Sequence, residues 1–355
     1  MKLEKIRTKI DGIDHEILRA LHYRMEMSLR TKRFKESIRD EEREKQILER
    51  LKKYSGASQL LRGEFVEKLF ASILGESRKI QEEDRTLIGF QGEHGAFGEA
   101  AALCYNARLT PLPCPEFADV FDGVQKGSLD LGIVPVENSL GGAITDVNEL
   151  LIKCDLKIVG AVKLRINHCL LQHHEADYRE MRMAYSHPQA LSQCRHFLMR
   201  HNLEPRPYYD TAGAARMVAE DMPKMAAAIA GRLCADIYNL EVVKENIQDH
   251  PDNFTRFLIL ARKEHGDSVD KCSIIFSTRH EAGALNAVLN VFSEEQINLT
   301  RIESMPWADD PGNYVFFLDF QNPDILNRVE TILDKVRRKA KMLKYLGCYK
   351  EEICE

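Results

Sequence analysis

The sequence predicts a multidomain protein in three successive parts. These are an all-α segment over residues 1–85, an α/β domain over 86–264 and an α+β domain of ferredoxin-like order over 270–355. Three observations carry this. Residues 1–85 are charge-rich and almost free of glycine and proline, with apolar residues at helical spacing. From Thr86 onward, short strand-like runs alternate with helical stretches, the texture of an α/β fold. After a charged, linker-like stretch from Arg262 to Asp267, the elements follow the order βαββαβ.

The first helix is expected from Leu3 to Lys35, where Ile6, Ile10, Ile13, Ile17 and Leu21 step by three and four residues along one face. On such a rod Arg24 and Lys35 point the same way about 16 Å apart, and Arg7 lies about 25 Å from Arg24. Two long cations could close around a small anion between Arg24 and Lys35. Arg7 could join them only from a second copy of the chain. A second helix is expected from Asp40 to Tyr54 (Ile47, Leu48, Leu51), a break at Ser55-Gly56-Ala57-Ser58, and a third helix from Gln59 to Glu83 (Phe65, Leu69, Phe70, Ile73). Helices this extended cannot bury their stripes alone, so a partner chain is expected.

In the middle block, strands are expected at Leu87–Phe90, Leu131–Val134, Leu156–Val159, Met181–Tyr185, Ala226–Ile229 and Arg256–Leu260. The C-terminal block reads as strand Cys272–Ser277, helix Gly283–Glu295, strands Asn298–Ser304 and Tyr314–Phe320, helix Ile325–Arg338 and strand Met342–Cys348.

A net charge of -5 argues against nucleic acid or an anionic membrane as the main partner. No apolar run approaches membrane-spanning length, and the N-terminus lacks the apolar core of a secretion signal, so a cytoplasmic location is expected. Nine cysteines without a CxxC pair read as reduced thiols, neither a disulfide framework nor a zinc site. His173-His174 has no further ligand at metal-binding spacing, so no metal is expected.

Polar residues sit where each N-terminal helix presents its apolar face: Asp40, Arg43 and Glu44 ahead of Ile47, and Ser77 and Gln81 in line with Leu69 and Ile73. Singly, these are surface salt bridges and caps. Together they describe a polar cavity that would be costly if empty. The run Ile6-Arg7-Thr8-Lys9-Ile10-Asp11-Gly12-Ile13-Asp14, with Arg24, Lys35, Asp40, Arg43-Glu44, Ser77 and Gln81, resembles the all-helical, intertwined-dimer chorismate mutases over about 80 residues. The resemblance implies that chorismate rearranges to prephenate in a pericyclic step requiring neither nucleophile nor acid–base relay. It further implies that Arg24 and the partner's Arg7 clamp the carboxylates, while Lys35 and Gln81 meet the ether oxygen. Glu44 and the backbone near Asp40 take the ring hydroxyl, and Arg43 and Ser77 support the pocket.

In the middle block, Gly89 to Gly98 follows a strand and opens a helix, a place for an anion to meet backbone NH groups. It lacks the Walker lysine and the GxGxxG pattern, so no nucleotide is expected. Val134-Pro135-Val136-Glu137-Asn138-Ser139, Tyr209-Asp210-Thr211-Ala212-Gly213 and Asn253-Phe254-Thr255-Arg256-Phe257 each read locally as a turn, a helix cap or a strand entry. With Tyr185-Ser186-His187-Pro188-Gln189 they resemble prephenate dehydratase over about residues 86–262. That implies two lobes, similar to a periplasmic-binding protein, closing on prephenate and releasing carbon dioxide and the ring hydroxyl to give phenylpyruvate. On this resemblance Thr255 assists the departing hydroxyl, Asn138, Ser139 and Thr211 bind substrate oxygens, and Arg256 holds a carboxylate or braces the loop. A serine is usual in that family where this chain has Gly98.

Gly283-Ala284-Leu285 at a helix start and Glu303-Ser304-Met305-Pro306 at a strand end resemble the ACT domain attached to such dehydratases, with Met305 where arginine is usual. Phenylalanine binding at these residues and feedback inhibition follow from that resemblance. Neither chemical step requires a metal or organic cofactor. The combined expectation is a homodimeric mutase–dehydratase of phenylalanine biosynthesis. It stands against a chain with one working site, a non-catalytic amino-acid sensor, and a preference for arogenate. Lys35, Gln81 and Thr255 argue against the sensor, which needs no groups at a breaking bond.

Overall fold

The computed structural model describes residues 3–35, 37–55, 60–221, 223, 225–264, 269–307, 313–321 and 325–354. The chain divides into two units, Met1–Arg85 and Thr86–Glu355. No helix among the described residues is long and apolar enough to cross a membrane.

The first unit is α1 (Leu3–Lys32), α2 (Glu41–Ser55) and α3 (Gly63–Glu82). The first helix ends a turn earlier than its periodicity suggests, and Phe34 and Lys35 donate back to Thr31 and Lys32 carbonyls in the turn that closes it. Lys35 is therefore off the rod, and the 16 Å spacing from Arg24 does not apply. The apolar stripe of α1 is open on this chain, with Ile13 54% and Ile17 52% exposed. On α3 the buried row is Val66, Ile73, Leu74, Ser77 and Gln81, whereas Phe65 and Leu69 face outward. The expected break at residues 56–58 and the start of the third helix at Gln59 lie outside the described residues.

The second unit opens with β1 (Leu87–Gln91), α4 (Phe97–Tyr105), β2 (Thr110–Cys114), α5 (Phe117–Lys126), β3 (Leu131–Asn138), β4 (Gly142–Ala143), α6 (Thr145–Lys153) and β5 (Lys157–Arg165). A second lobe follows with β6 (Cys169–Gln172), β7 (Met183–Ser186), α7 (Pro188–Gln193), α8 (Arg195–Arg200), β8 (Glu204–Pro207), α9 (Thr211–Asp221), β9 (Ala226–Ala230), α10 (Arg232–Tyr238) and β10 (Glu241–Lys244). The chain then returns to the first lobe as β11 (Phe254–Ala261). Its C-terminal part is β12 (Lys271–Ser277), α11 (Ala284–Glu294), β13 (Asn298–Pro306), β14 (Tyr314–Gln321), α12 (Ile325–Arg337), β15 (Met342–Tyr349) and β16 (Glu351–Cys354).

Three sheets result: β16-β5-β11-β3-β1-β2 with β4 beside β3, β10-β6-β9-β7-β8, and β13-β14-β12-β15. The first two are the lobes, joined by two crossovers, residues 166–168 and 245–253. The all-alanine-and-isoleucine strand β9 and the apolar β11 are buried throughout or nearly so, as expected for strands covered on both faces. Arg262, read from sequence as the start of a linker, instead donates to the Val124 and Leu129 carbonyls at the end of α5. Residues 265–267 of that stretch lie outside the described residues.

Two corrections concern the C-terminus. β16 leaves the third sheet and joins the first, parallel to β5. Four cysteines are paired, Cys104 with Cys354 and Cys272 with Cys348, against the expectation of thiols throughout. Cys272 and Cys348 are register partners on β12 and β15, and Cys354 reaches α4 because β16 crosses over. Neither relation leaves a spacing motif in the sequence.

Candidate active sites

The first cavity, about 350 Å³, lies among the three helices. Arg24, Ser28, Thr31, Lys35, Asp40, Arg43, Glu44, Ser77, Arg78 and Gln81 line it, with Met27, Ile38, Ile47 and Leu74 as apolar walls. Its polar groups are held by specific bonds. Arg24 Nη1 donates to Ser77 Oγ at 2.5 Å, and Ser77 in turn donates to the Ile73 carbonyl one turn back. Gln81 Nε2 donates to Ser28 at its carbonyl (2.7 Å) and hydroxyl (2.6 Å), which fixes the amide on the helix row foreseen in the sequence. Asp40 caps α2 by accepting from the Arg43 NH at 3.0 Å. Glu44 is paired with Arg78 at 2.5–2.6 Å, a cation sequence reasoning did not single out. Arg7 does not line the cavity in its own chain.

The second cavity, about 190 Å³, lies between the lobes. It is walled by Gln91, the α4 start (Ala96, Phe97, Gly98), Pro135, Asn138, His168, His187, Gln189, Gln193, Asp210, Thr211, Thr255 and Phe257, among others. Its described lining contains no lysine or arginine. Backbone NH groups at the start of α4 supply the positive potential instead. Asp210 is occupied as a cap, accepting from the Gly213 NH, and burial pushes its carboxyl above its ordinary value.

Behind this wall the hydrogen-bond directions can be assigned one from another. Asn138 Oδ1 accepts from the Leu140 and Gly141 NH groups, so its Nδ2 must donate, to Asn253 Oδ1 at 2.8 Å and to Thr255 Oγ1 at 2.9 Å, the latter hydrogen shared with the Phe254 carbonyl at 3.1 Å. Asn253 Nδ2 then donates to Gln193 Oε1 at 3.0 Å, and His168 Nε2 must donate to that same oxygen at 3.0 Å. Burial holds the His168 imidazole below its ordinary pKa, so it is neutral near pH 7. The consequence is chemical: the Thr255 oxygen is already occupied as an acceptor, which leaves its hydrogen to donate into the cavity.

Not every residue singled out from sequence faces this cavity. Ser139 is turned to the crossover, accepting from the Phe254 NH and donating to the Asp252 carbonyl, and does not line it. Arg256 lies on the opposite face of β11 from Thr255, as the strand period of two requires, bonded within a buried cluster. Arg256 does not line this cavity, and of the two roles the resemblance implies, bracing is the one this placement favours. His168, Gln193 and Asn253 were missed. His168 left one signal, polarity inside otherwise apolar text in Ile166-Asn167-His168-Cys169-Leu170, whereas Gln193 sits in polar text and Asn253 stood in the Asn253–Phe257 motif without being given a role. A Cβ at Gly98 would sit 3.3 Å from Phe90 Cβ, so glycine here matches close packing of α4 on β1.

In the C-terminal sheet, Gly283 takes a left-handed conformation (φ 85°) ahead of α11, which favours glycine. Ala284 and Leu285 begin α11. Glu303 is bonded to Arg301 at 2.5 Å on edge strand β13, with Ser304 beside it exposed.

Comparison with known proteins adds the family. Residues 6–82 match chorismate mutase type II and residues 88–265 match prephenate dehydratase. A bifunctional chorismate mutase/prephenate dehydratase from Aquifex aeolicus is 33% identical over 366 residues, covering 100% of this chain and 99% of that protein. Arogenate dehydratase/prephenate dehydratase 2 of Arabidopsis thaliana is 37% identical over 285 residues, 77% of this chain and 75% of that protein. The solved structure of an Arthrobacter aurescens prephenate dehydratase in complex with L-Phe superposes with a TM-score of 0.68 at 28% identity, covering 74% of this chain and 89% of that one. The chain belongs to the bifunctional chorismate mutase/prephenate dehydratase family, an isomerase and a lyase of phenylalanine biosynthesis on one polypeptide.

Proposed function

We propose that the helical cavity carries out the chorismate rearrangement only in a homodimer, with Arg7 donated by a second copy. Arg24 and that Arg7 clamp the two carboxylates, while Lys35 and Gln81 stabilise negative charge growing on the ether oxygen as it breaks, Gln81 by turning one amide hydrogen from Ser28 to the substrate. Glu44 and the Asp40 backbone receive the ring hydroxyl, with Arg43 and Ser77 as supports. The observation that carries this reading is the convergence of Arg24, Lys35, Asp40, Arg43, Glu44, Ser77 and Gln81 on one cavity that Arg7 does not reach. The open Ile13–Ile17 stripe supports the second chain.

In the inter-lobe cavity the Thr255 hydroxyl donates to the departing ring hydroxyl as the bonds to that hydroxyl and to the carboxylate break. The hydroxyl leaves as water with one proton drawn from solvent, Thr255 ends protonated, and carbon dioxide and phenylpyruvate are released. Aromatisation provides the driving force, so a well-aimed neutral donor suffices. Asn138 aims it, and Thr211 with the α4 start holds carboxylate oxygens. Phenylalanine binds at Gly283–Leu285 and Glu303–Ser304 of an ACT domain and lowers dehydratase turnover, which requires unequal affinity for two lobe arrangements.

The test is incubation with chorismate, then with prephenate and arogenate separately, with and without phenylalanine. Phenylpyruvate from chorismate alone, reduced by phenylalanine, is expected. Thr255→Ala should lower dehydratase kcat by about 100-fold while leaving the mutase untouched, and unchanged turnover would reject the donor role.

A further inference from the structure

β11 carries two neighbouring residues with opposite surroundings. Thr255 meets the inter-lobe cavity, whereas Arg256 is 6% exposed on the other face and is bonded through all three guanidinium nitrogens. Its Nε donates to Glu351 at 2.5 Å, its Nη2 to the Tyr349 hydroxyl at 2.8 Å, and its Nη1 to Asp319. All three partners belong to the C-terminal part of the chain, on β16, β15 and β14 respectively.

The cluster continues beyond them. Ser273 on β12 donates to the second Asp319 oxygen at 2.5 Å and lies 2.6 Å from the Tyr349 hydroxyl, while Lys271 holds the second Glu351 oxygen at 2.6 Å. Glu137, the register partner of Arg256 on β3, lies 3.5 Å from Arg301 of β13. A bulge between β11 and β3 falls between Arg256 and Phe257, the kind of irregularity that re-aims a side chain. The C-terminal sheet thus grips, from behind, the two strands that present Asn138 and Thr255.

We propose that Arg256 is a positioning residue for dehydration, fixing the Thr255 hydroxyl at the cavity by tying β11 to the C-terminal sheet. The proposal rests on the reading of Thr255 as the donor. Its physical basis is that Arg256 and Asp319 are both buried, so neither can lose its partner without a large desolvation penalty. Any displacement of β14 or β15 is therefore handed to Arg256, and through one peptide unit to Thr255. Catalysis tolerates little such drift.

The experiment is a double-mutant cycle in the full chain, with mutase turnover recorded on every sample. Arg256→Lys keeps the charge but cannot make the three-armed connection. It is expected to lower dehydratase kcat by about tenfold or more with KM within about twofold, because the substrate contacts are intact. In a Thr255→Ala background the same change should lower the residual kcat by less than about twofold, since there is no longer a hydroxyl to aim. Tyr349→Phe removes one arm at nearly constant volume. It repeats the cycle with a loss of about threefold should Arg256→Lys fail to fold.

Independent, multiplicative effects would overturn the proposal, as would a rise in KM at constant kcat, which would place Arg256 on the substrate. Failure of the wild-type chain to convert prephenate would instead reject the underlying reading of the cavity.

Discussion

Arg24, Lys35, Arg43 and Arg78 surround the helical cavity, whereas the inter-lobe cavity has no lysine or arginine among its described lining residues. The first is a ring of long, fully charged side chains on one layer of helices. The second is a ring of short amides and hydroxyls and the α4 N-terminus, with each hydrogen bond's direction fixed by the next. The difference follows the chemistry. A pericyclic step needs its dianion folded and one oxygen stabilised, which cations deliver at long reach. Expulsion of a hydroxyl needs a proton donor held at one angle, which a buried network of neutral groups delivers.

The comparison can be broken most forcefully at Lys35. Lys35→Ala should reduce mutase kcat by at least about 100-fold, on the order of 3 kcal/mol, with conversion of added prephenate unchanged. A mutase at wild-type speed would show that the cationic ring is not what carries the rearrangement. The proposed completion of that ring by a second chain's Arg7 gives the next largest effect. Inactive Arg7→Ala and Arg24→Ala chains, mixed and reassembled, should recover about a quarter of wild-type mutase turnover, because half the dimers are mixed and each holds one intact site. No recovery would remove the second chain from the site.

These two cases also show what could be read from the sequence. The isoleucine steps of α1 and the row Ile73-Ser77-Gln81 on α3 are local periodicities, and they led to the cavity even though Lys35 proved to lie in a turn. The inter-lobe network was not legible in this way. His168, Gln193, Asn253 and Asn138 come from four places in the chain, and no period relates them. Thr255-Arg256-Phe257 was visible as a motif, but which side of the strand each residue serves depends on the register of β11 against β3. The same holds for Cys354, whose partner is decided by β16 changing sheets.

Smaller effects sharpen the contrast. Gly98→Ser would bring a Cβ to 3.3 Å from Phe90 and should destabilise the second unit by about 1 kcal/mol, with the mutase unaffected. Thermal unfolding followed with both activities would check this, and loss of the mutase as well would contradict the division into two units. Last, and smallest near neutrality, is a response to acid. Burial pushes the Asp319 and Glu351 carboxyls up, but Arg256 together with Arg301 and Ser273 at Asp319, and with Lys271 at Glu351, outweighs it and holds both below their ordinary values. The unfolded chain therefore binds more protons, and their stabilisation is complete above pH about 5 and is lost as pH falls through the folded-state values. Arg256→Lys should weaken that acid dependence in urea titrations at pH 3 to 6.

The absence of lysine and arginine from the described lining of the inter-lobe cavity also bears on how the two steps respond to ionic strength. On the proposed reading chorismate is drawn to cations that include the exposed Lys35 and Arg43, whose field dissolved salt shortens to about 10 Å at 0.1 M. The inter-lobe cavity offers dipoles and short-range hydrogen bonds instead of basic side chains, and salt weakens these far less. As salt rises, the opening rearrangement should slow while the second step keeps pace, so the intermediate stays scarce in the conditions that starve the enzyme of its first substrate.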